Sequence, residues 1–401
     1  MADKMISAAE SRQRIEAFRN IMDRENPDWE MALILGKINQ FYLTGTMQDG
    51  FLCVEREGKA VLWVRRSVER AKDESPLENI EAMGSYRQAS GHYKSLPKRL
   101  YLDKEIVSLS VMERLQKAFA FESWGGVDRQ LLKIRSVKSS REREIMTRSG
   151  RLHKELFEQR IPPLLREGMD EREFTIRVFQ EMMDLGYHGV SRFNMFQTEM
   201  MAGQIGFGEN SCYPSYFNGP GGNKGQHAAV PLWGETNRKL AKGDMVFTDI
   251  AFGVDGYHTD QTMTYLFKGE LPSQARTYHD YCVELRDKAA ARLKPGEIPS
   301  LLYADILEEI AAHAPAGFAE CFMGHPGNQV KFLGHGVGLH IDEYPVIAKG
   351  FDEPLEENMI IALEPKCAIP GVGTVGVEDT FAVGAGGGEC LTGGGTGMIK
   401  L

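Results

Sequence analysis

Residues 245–265 read MVFTDIAFGVDGYHTDQTMTY. Positions 245–252 are apolar and β-branched with an alternating trend, and 257–267 are rich in Thr, Tyr and Phe. Between them Gly253-Val254-Asp255-Gly256 is a turn signal, so the stretch predicts a β-hairpin. With the turn centred on Val254-Asp255, Asp249 falls directly opposite Asp260. With Asp255-Gly256 as the turn, the two are diagonal neighbours. In either register both side chains leave the same face of the sheet, because side chains alternate with period two. Facing like charges destabilise a ladder. Two carboxylates placed this way call for a cation between them.

The remaining composition sets the frame. A chain of 401 residues predicts two domains. Its 42% hydrophobic and 26% charged residues are those of a soluble globular protein with a substantial core. A net charge of -9 argues against nucleic acid or an anionic membrane as the main partner. The N-terminal MADKMISAAESRQRIEAF has no apolar signal-peptide core, and no run approaches the ~18 apolar residues of a membrane span. Cys53, Cys212, Cys282, Cys321, Cys367 and Cys390 are scattered without a CxxC, which predicts reduced, mostly buried thiols in a cytoplasmic protein.

Upstream of the hairpin, residues 6–25 read as an amphipathic helix. Strand-like runs follow at 31–35, 41–43, 51–55 and 60–64, and a helical pattern at 107–118. Short strands mixed with helices predict an α/β domain over residues 1–135, without a dinucleotide or Walker loop. Residues 131–151 are dense in Arg, Lys and Glu. Both signs alternate, which fits a solvated helix entering the next domain better than a polyanion patch. Helical patterns occupy 141–160 and 170–185, the second with Asp170 as its cap, Glu173 three residues on and Gly186 past its end. The glycine-rich 218–225 lacks a following GK[ST], so it reads as a turn delivering His227 and not as a phosphate cradle.

The pattern then repeats. Helices are expected at 272–293 and 299–313, followed by strands at 359–369 and 374–383 around Pro370-Gly371-Val372-Gly373. Glu364 and Glu378 lie at nearly mirrored positions about that turn. Helix, helix, acidic hairpin thus occurs twice, which points to an internally duplicated domain over 136–401 whose halves meet at the acids. The glycine-rich tail at 384–397 reads as turns and a last hairpin. In LGHGVG, glycines on both sides of His335 let the backbone approach closely. Four carboxylates and an imidazole suit manganese, iron, cobalt or zinc better than a thiolate-loving ion. Two ions ~3.5–4 Å apart would satisfy all five ligands.

With these residues the C-terminal part resembles the metallopeptidases that include methionine aminopeptidase, aminopeptidase P and prolidase, with the pita-bread fold. Asp249, Asp260 eleven residues later, His335 in GHGVG, Glu364 in LEP and Glu378 in VED match that family's metal ligands in order. The α/β N-terminal domain resembles the prolidase, aminopeptidase P and creatinase branch. The resemblance implies an α+β chain: a curved, duplicated antiparallel sheet with helices outside, preceded by a smaller creatinase-like domain that packs over a site of its own or a neighbouring subunit. It implies a homodimer. It further implies two divalent ions, manganese first and cobalt, zinc or iron after it. Asp249 would chelate one ion, Asp260 and Glu378 would bridge, and His335 and Glu364 would hold the other. A metal-bridged hydroxide would cleave Xaa-Pro peptide bonds, with Glu364 as general base and His227 steadying the tetrahedral intermediate.

Several positions depart from the family pattern. A second catalytic histidine, seven residues after the ligand, is here Asp342 in HIDEYP, which would have to relay protons. A pocket histidine four before the ligand is Lys331, which would supply positive charge to the substrate, beside His340. The arginine two before the last glutamate is Gly376, and the glycine two after the first aspartate is Ala251. The metal set is intact while the substrate shell is altered. A creatinase-like amidinohydrolase or lyase on the same scaffold is therefore the alternative. A non-catalytic binding module, whose ligands would be lost, fits less well.

Overall fold

The computed structural model describes residues 4–401, which fall into one unit ending at Arg135 and another beginning at Ser136. In the first unit Met31–Ile34 (β1), Gly50–Glu55 (β2) and Ala60–Val64 (β3) form an antiparallel meander. Ile80–Ala82 (β4), Arg99–Leu102 (β5) and Ser123–Gly126 (β6) extend it in parallel to the order β4-β3-β2-β1-β5-β6. Leu33, Phe51, Cys53, Val61, Trp63 and Leu100 pack one face of it against Leu115 and Phe119 of helix Leu109–Phe119. Helix Ala8–Glu25 begins where the Ser7 hydroxyl accepts the Glu10 N–H.

One expected strand is absent. Residues 41–43 lie inside helix Lys37–Thr44, which stops at Gly45 in the left-handed region (φ +77°). The aromatic pair Phe41-Tyr42 suggested a strand, but burial decided otherwise. On the helix Tyr42 and Leu43 turn inward, and the buried Gln40 amide donates to the carbonyls of Leu35 and Gly50.

The second unit holds both hairpins. Gly203–Phe207 (β7) pairs with Met245–Val254 (β8), which pairs with Tyr257–Leu266 (β9). Gly334–Gly336 (β10), Glu343–Ile347 (β11), Ile360–Leu363 (β12), Asp379–Ala382 (β15) and Glu389–Cys390 (β16) make a sheet ordered β11-β10-β12-β15-β16. Lys366–Ile369 (β13) and Gly373–Gly376 (β14) continue β12 and β15 to the turn. Met398–Lys400 (β17) returns beside β9. The tail at 384–397 holds turns and a single strand, β16, which pairs back on β15 upstream of it in place of a hairpin of its own, and β17 beyond it lies parallel to β9, a long-range pairing that no local turn signal announces.

Helices sit against each half. The expected helix at 141–160 is regular over Ser140–Glu155, where Ser139 and Glu142 form a capping box, and loosens into a π turn over Leu156–Arg160. Asp170 caps Glu171–Asp184. Phe157, Phe174 and Val178 share a core with Val246, Ile250, Phe252 and Tyr265. Helices Ser273–Ala291 and Pro299–His313 do the same for the second half, packing Cys282, Leu285 and Ile306 with Ile361, Leu363 and Val375. Five cysteines are buried, Cys390 is half-buried, and none is bridged. Among the described residues no helix is long and apolar enough to cross a membrane.

Candidate metal centre

The register of the first hairpin follows from its turn. Val254 pairs with Tyr257, which leaves Asp255 (φ +49°) and Gly256 (φ +91°) as a two-residue loop with both residues left-handed. Asp249 therefore faces Thr262 and Asp260 faces Ala251, so the two aspartates are diagonal neighbours on one face. Ala251 thus stands directly across from Asp260.

The second hairpin breaks where it matters. Leu363 pairs with Asp379 and Lys366 with Gly376, and between these pairs the ladder opens at Glu364 and Glu378. Glu378 instead bridges to Thr262 of β9. The Thr262 N–H donates to the Glu378 carbonyl at 3.2 Å, and the Thr262 hydroxyl donates to Glu378 Oε2 at 3.1 Å. This is the seam at which the two hairpins meet. Thr380 fixes Asp260 from the same side, accepting its N–H and donating to its carbonyl, each at 2.8 Å.

His335 reaches the cluster from β10, between β11 and β12. Its glycine neighbours make that possible. A Cβ at Gly334 would lie 2.1 Å from the Ala362 carbonyl, and one at Gly336 2.3 Å from that of Tyr344. His335 Nδ1 contacts the Gly336 carbonyl at 3.1 Å and so acts as the donor, which leaves Nε2 facing the acids. Nε2 lies 3.4 Å from Glu364 Oε1 and 3.8 Å from Glu378 Oε1.

All five predicted ligands converge, as two groups that share Glu378: Asp260, His335 and Glu378, and Asp249, Glu364 and Glu378. A residue absent from the sequence expectation joins them. The Lys366 ammonium lies 2.9 Å from Asp249 Oδ2, 2.9 Å from Glu364 Oε2 and 2.7 Å from Glu378 Oε2, with its side chain fully buried. Its three N–H donors match three carboxylate acceptors. The signal was present in sequence: Glu364 and Lys366 are the only charged residues in MIIALEPKCAI, two apart.

The electrostatics fit a cation on the other group. Burial opposes the charge of Lys366, yet Asp249, Glu364 and Glu378 hold its ammonium well above the usual lysine value. Burial likewise opposes a charged His335, and Glu364, Glu378 and Asp260 outweigh it and raise the imidazole to about 10. Burial, then Glu378 and Asp249, push the Asp260 carboxyl far up. Burial also raises Asp249, with Lys366 pulling it down and Glu378 pushing it up. The pocket thus holds more negative charge than one ammonium neutralises. Glu378 Oε1 is buried without a hydrogen-bond partner. An orphaned carboxylate oxygen beside an open imidazole nitrogen and a second carboxylate is a donor set for a divalent ion.

The other predicted residues lie differently. Both Asp342 oxygens accept backbone N–H groups, from Asn194 and Met195, which ties the carboxylate to that loop. Burial raises it and those two bonds lower it, with a net rise. Lys331 is exposed. His340 is buried, its N–H donating to Glu343. His227 is exposed in a turn, where its Nδ1 accepts the Ala229 N–H at 3.2 Å. Gly376 faces Lys366 across the β13–β14 ladder.

Residues 144–385 match the profile of Metallopeptidase family M24, and residues 14–137 match the Creatinase/Prolidase N-terminal domain. The chain belongs to metallopeptidase family M24. An uncharacterized peptidase of Staphylococcus saprophyticus is 26% identical to this M24 chain over 371 residues, covering 91% of it and 95% of the relative. Two solved structures share the M24 chain's fold. A prolidase from Pyrococcus horikoshii superposes with a TM-score of 0.77 at 23% identity, over 96% of this chain and 99% of that one. An Xaa-Pro dipeptidase from Bacillus anthracis gives 0.79 at 21% identity, over 98% and 100%. The expected architecture, a pita-bread domain preceded by a creatinase-like one, is therefore correct, and this M24 chain is a metallopeptidase by family.

Proposed function

We propose that the protein hydrolyses short Xaa-Pro peptides with the help of a divalent ion, manganese first among the candidates, held by Asp260, His335 and Glu378. The observation that carries this reading is the convergence of those three donors, with Glu364 alongside, at the seam of the two hairpins. The Xaa-Pro preference is supported by what the similar structures are named to be, a prolidase and an Xaa-Pro dipeptidase.

When bound, the ion supplies Lewis acidity: it makes water acidic near neutral pH and polarises a carbonyl. The chain's own residues do the rest. Glu364, its Oε2 held by Lys366 and its Oε1 turned toward His335, accepts the proton of the attacking water. His227 keeps its proton on Nε2 while Nδ1 accepts within its turn, so it presents an N–H donor to the oxygen that gains charge. Asp249 and Lys366 fix the far side of the cluster. The homodimer of the resembling branch is retained as part of the proposal.

One observation favours a second reading. With both Asp342 oxygens taken by backbone amides, the position where relatives keep a catalytic histidine has no ready proton donor for a leaving amine. A different hydrolase or lyase substrate on the same scaffold follows from that. Digestion of a peptide library by manganese-loaded protein, read by mass spectrometry, separates the two. The proposal expects cleavage on the N-terminal side of proline that stops on chelation. No turnover of any Xaa-Pro peptide would leave the second reading standing.

A further inference from the structure

The resemblance implies two ions, and that arrangement needs both acid groups free for metal. We propose that the Lys366 ammonium permanently replaces one of them, so that the chain binds a single divalent ion on the Asp260, His335 and Glu378 side. This rests on the reading that the acid cluster holds a metal. It concerns how many ions the cluster takes.

Lys366 contacts every member of the Asp249, Glu364, Glu378 group at 2.7–2.9 Å. All three of its N–H donors are committed there. Of the other group it touches only the shared Glu378, through Oε2; it makes no hydrogen bond to Asp260, His335 or Glu378 Oε1, and that Oε1 has no hydrogen-bond partner while His335 Nε2 is turned toward the acids. One side of the cluster is therefore satisfied by the chain itself, and the other is open to an ion.

The fold makes room for this lysine. Lys366 is the cross-strand partner of Gly376. A Cβ at Gly376 would lie 2.6 Å from Lys366 Cα and 3.2 Å from its Cγ, and the glycine takes φ +128°, which side chains resist. The departure at 376 thus has a counterpart on the facing strand. A basic side chain is missing at 376, and a basic side chain arrives from the facing strand at 366. The stem passes over the glycine and delivers the charge into the acids.

Moving the ammonium aside for a second ion is costly. Its side chain has no exposed surface, so it would stay in the interior without its carboxylates. A buried charge that loses its partners is strongly destabilising. Charge balance agrees. Four carboxylates, one ammonium and one divalent ion leave a single negative charge on the cluster. A second divalent ion would leave it positive, with ammonium and both metals in one buried pocket.

Lys366 is therefore a positioning residue. It orients Glu364 and Asp249 and holds the positive charge that an ion would otherwise bring. The test is the number of ions per chain, measured on full-length protein saturated with manganese, by native mass spectrometry and by elemental analysis of the dialysed protein. One ion in the wild type, rising to two in Lys366→Gly, is expected. Lys366→Ser serves if the glycine variant does not fold. Two ions in the wild type would overturn the inference and leave the hydrolase reading intact. One ion in the wild type and still one in the variant would also overturn it, because the lysine would then not be what excludes the second. No ion in either would overturn the inference and the metal reading together.

Discussion

At the scale of single residues, the proposed ligands were legible, and the lysine among them left only the faint signal of a charge in an apolar strand. Asp249 with Asp260, and Glu364 with Glu378, stand out because a facing acid pair is costly and each pair straddles an obvious turn. A lysine in a strand normally reads as a solvent-facing side chain, and Lys366 becomes meaningful only once Gly376 is known to lie across from it. The open imidazole nitrogen gives a direct prediction. His335→Ala should weaken manganese binding by at least about a hundredfold, more than the loss of an outer-shell partner, while melting close to the wild type. Isothermal titration with a thermal melt checks both.

A second residue-scale prediction concerns pH. His153 and His258 are buried and neutral, and burial lowers each to about 3. Their unfolded value is near 6.5, so between about 6.5 and 3 the unfolded chain takes protons that the fold refuses. Stability is therefore full above pH 6.5 and declines as pH falls below it. Each histidine contributes up to about 1.4 kcal/mol per pH unit. His153 stacks on Phe157 and uses only Nδ1, toward Thr259. His153→Gln should flatten the slope of unfolding free energy between pH 6.5 and 5, as measured by urea titration.

At the scale of elements, the hairpins and most long helices were readable from turn chemistry and periodicity. The sequence left two registers open for the first hairpin. The left-handed pair Asp255-Gly256 chose the diagonal one, which relieves a direct carboxylate clash and aims both aspartates at the seam. Gly256→Ala should cost about 1–2 kcal/mol by forcing a side chain into that conformation. Gly334→Ala should do more than destabilise. Its Cβ would meet the Ala362 carbonyl, so β10 must shift and carry His335 with it. Metal affinity should fall along with stability, and a variant that melts lower yet binds manganese as the wild type would contradict the placement of β10. Elements set by long-range packing escaped the sequence. Residues 41–43 became helix around the buried Gln40, and β17 joined β9 from the far end of the chain.

At the scale of the whole molecule, the duplication explains why the acid cluster arises where it does. Each half supplies a hairpin, each hairpin supplies two acids, and the Thr262–Glu378 bridge stitches them. Every group in the cluster lies between Asp249 and Glu378, inside the second unit. Residues 136–401 expressed alone should therefore bind manganese with the same stoichiometry as the full chain. A fragment that folds yet binds none would show that the first unit completes the site. The two facing acid pairs and the duplication follow from local arithmetic on the sequence, and the family and pita-bread fold from the resemblance those residues carry, whereas no spacing reveals that Asn194 and Met195 tie down Asp342.

Anomalous diffraction at the manganese edge, from crystals of the manganese-loaded protein, bears on the centre most directly. The predicted result is one peak per chain, within bonding distance of Asp260, His335 and Glu378, with the Lys366 ammonium still among Asp249, Glu364 and Glu378. Two peaks a few ångströms apart with Lys366 displaced, or no peak at the hairpin seam, would contradict it.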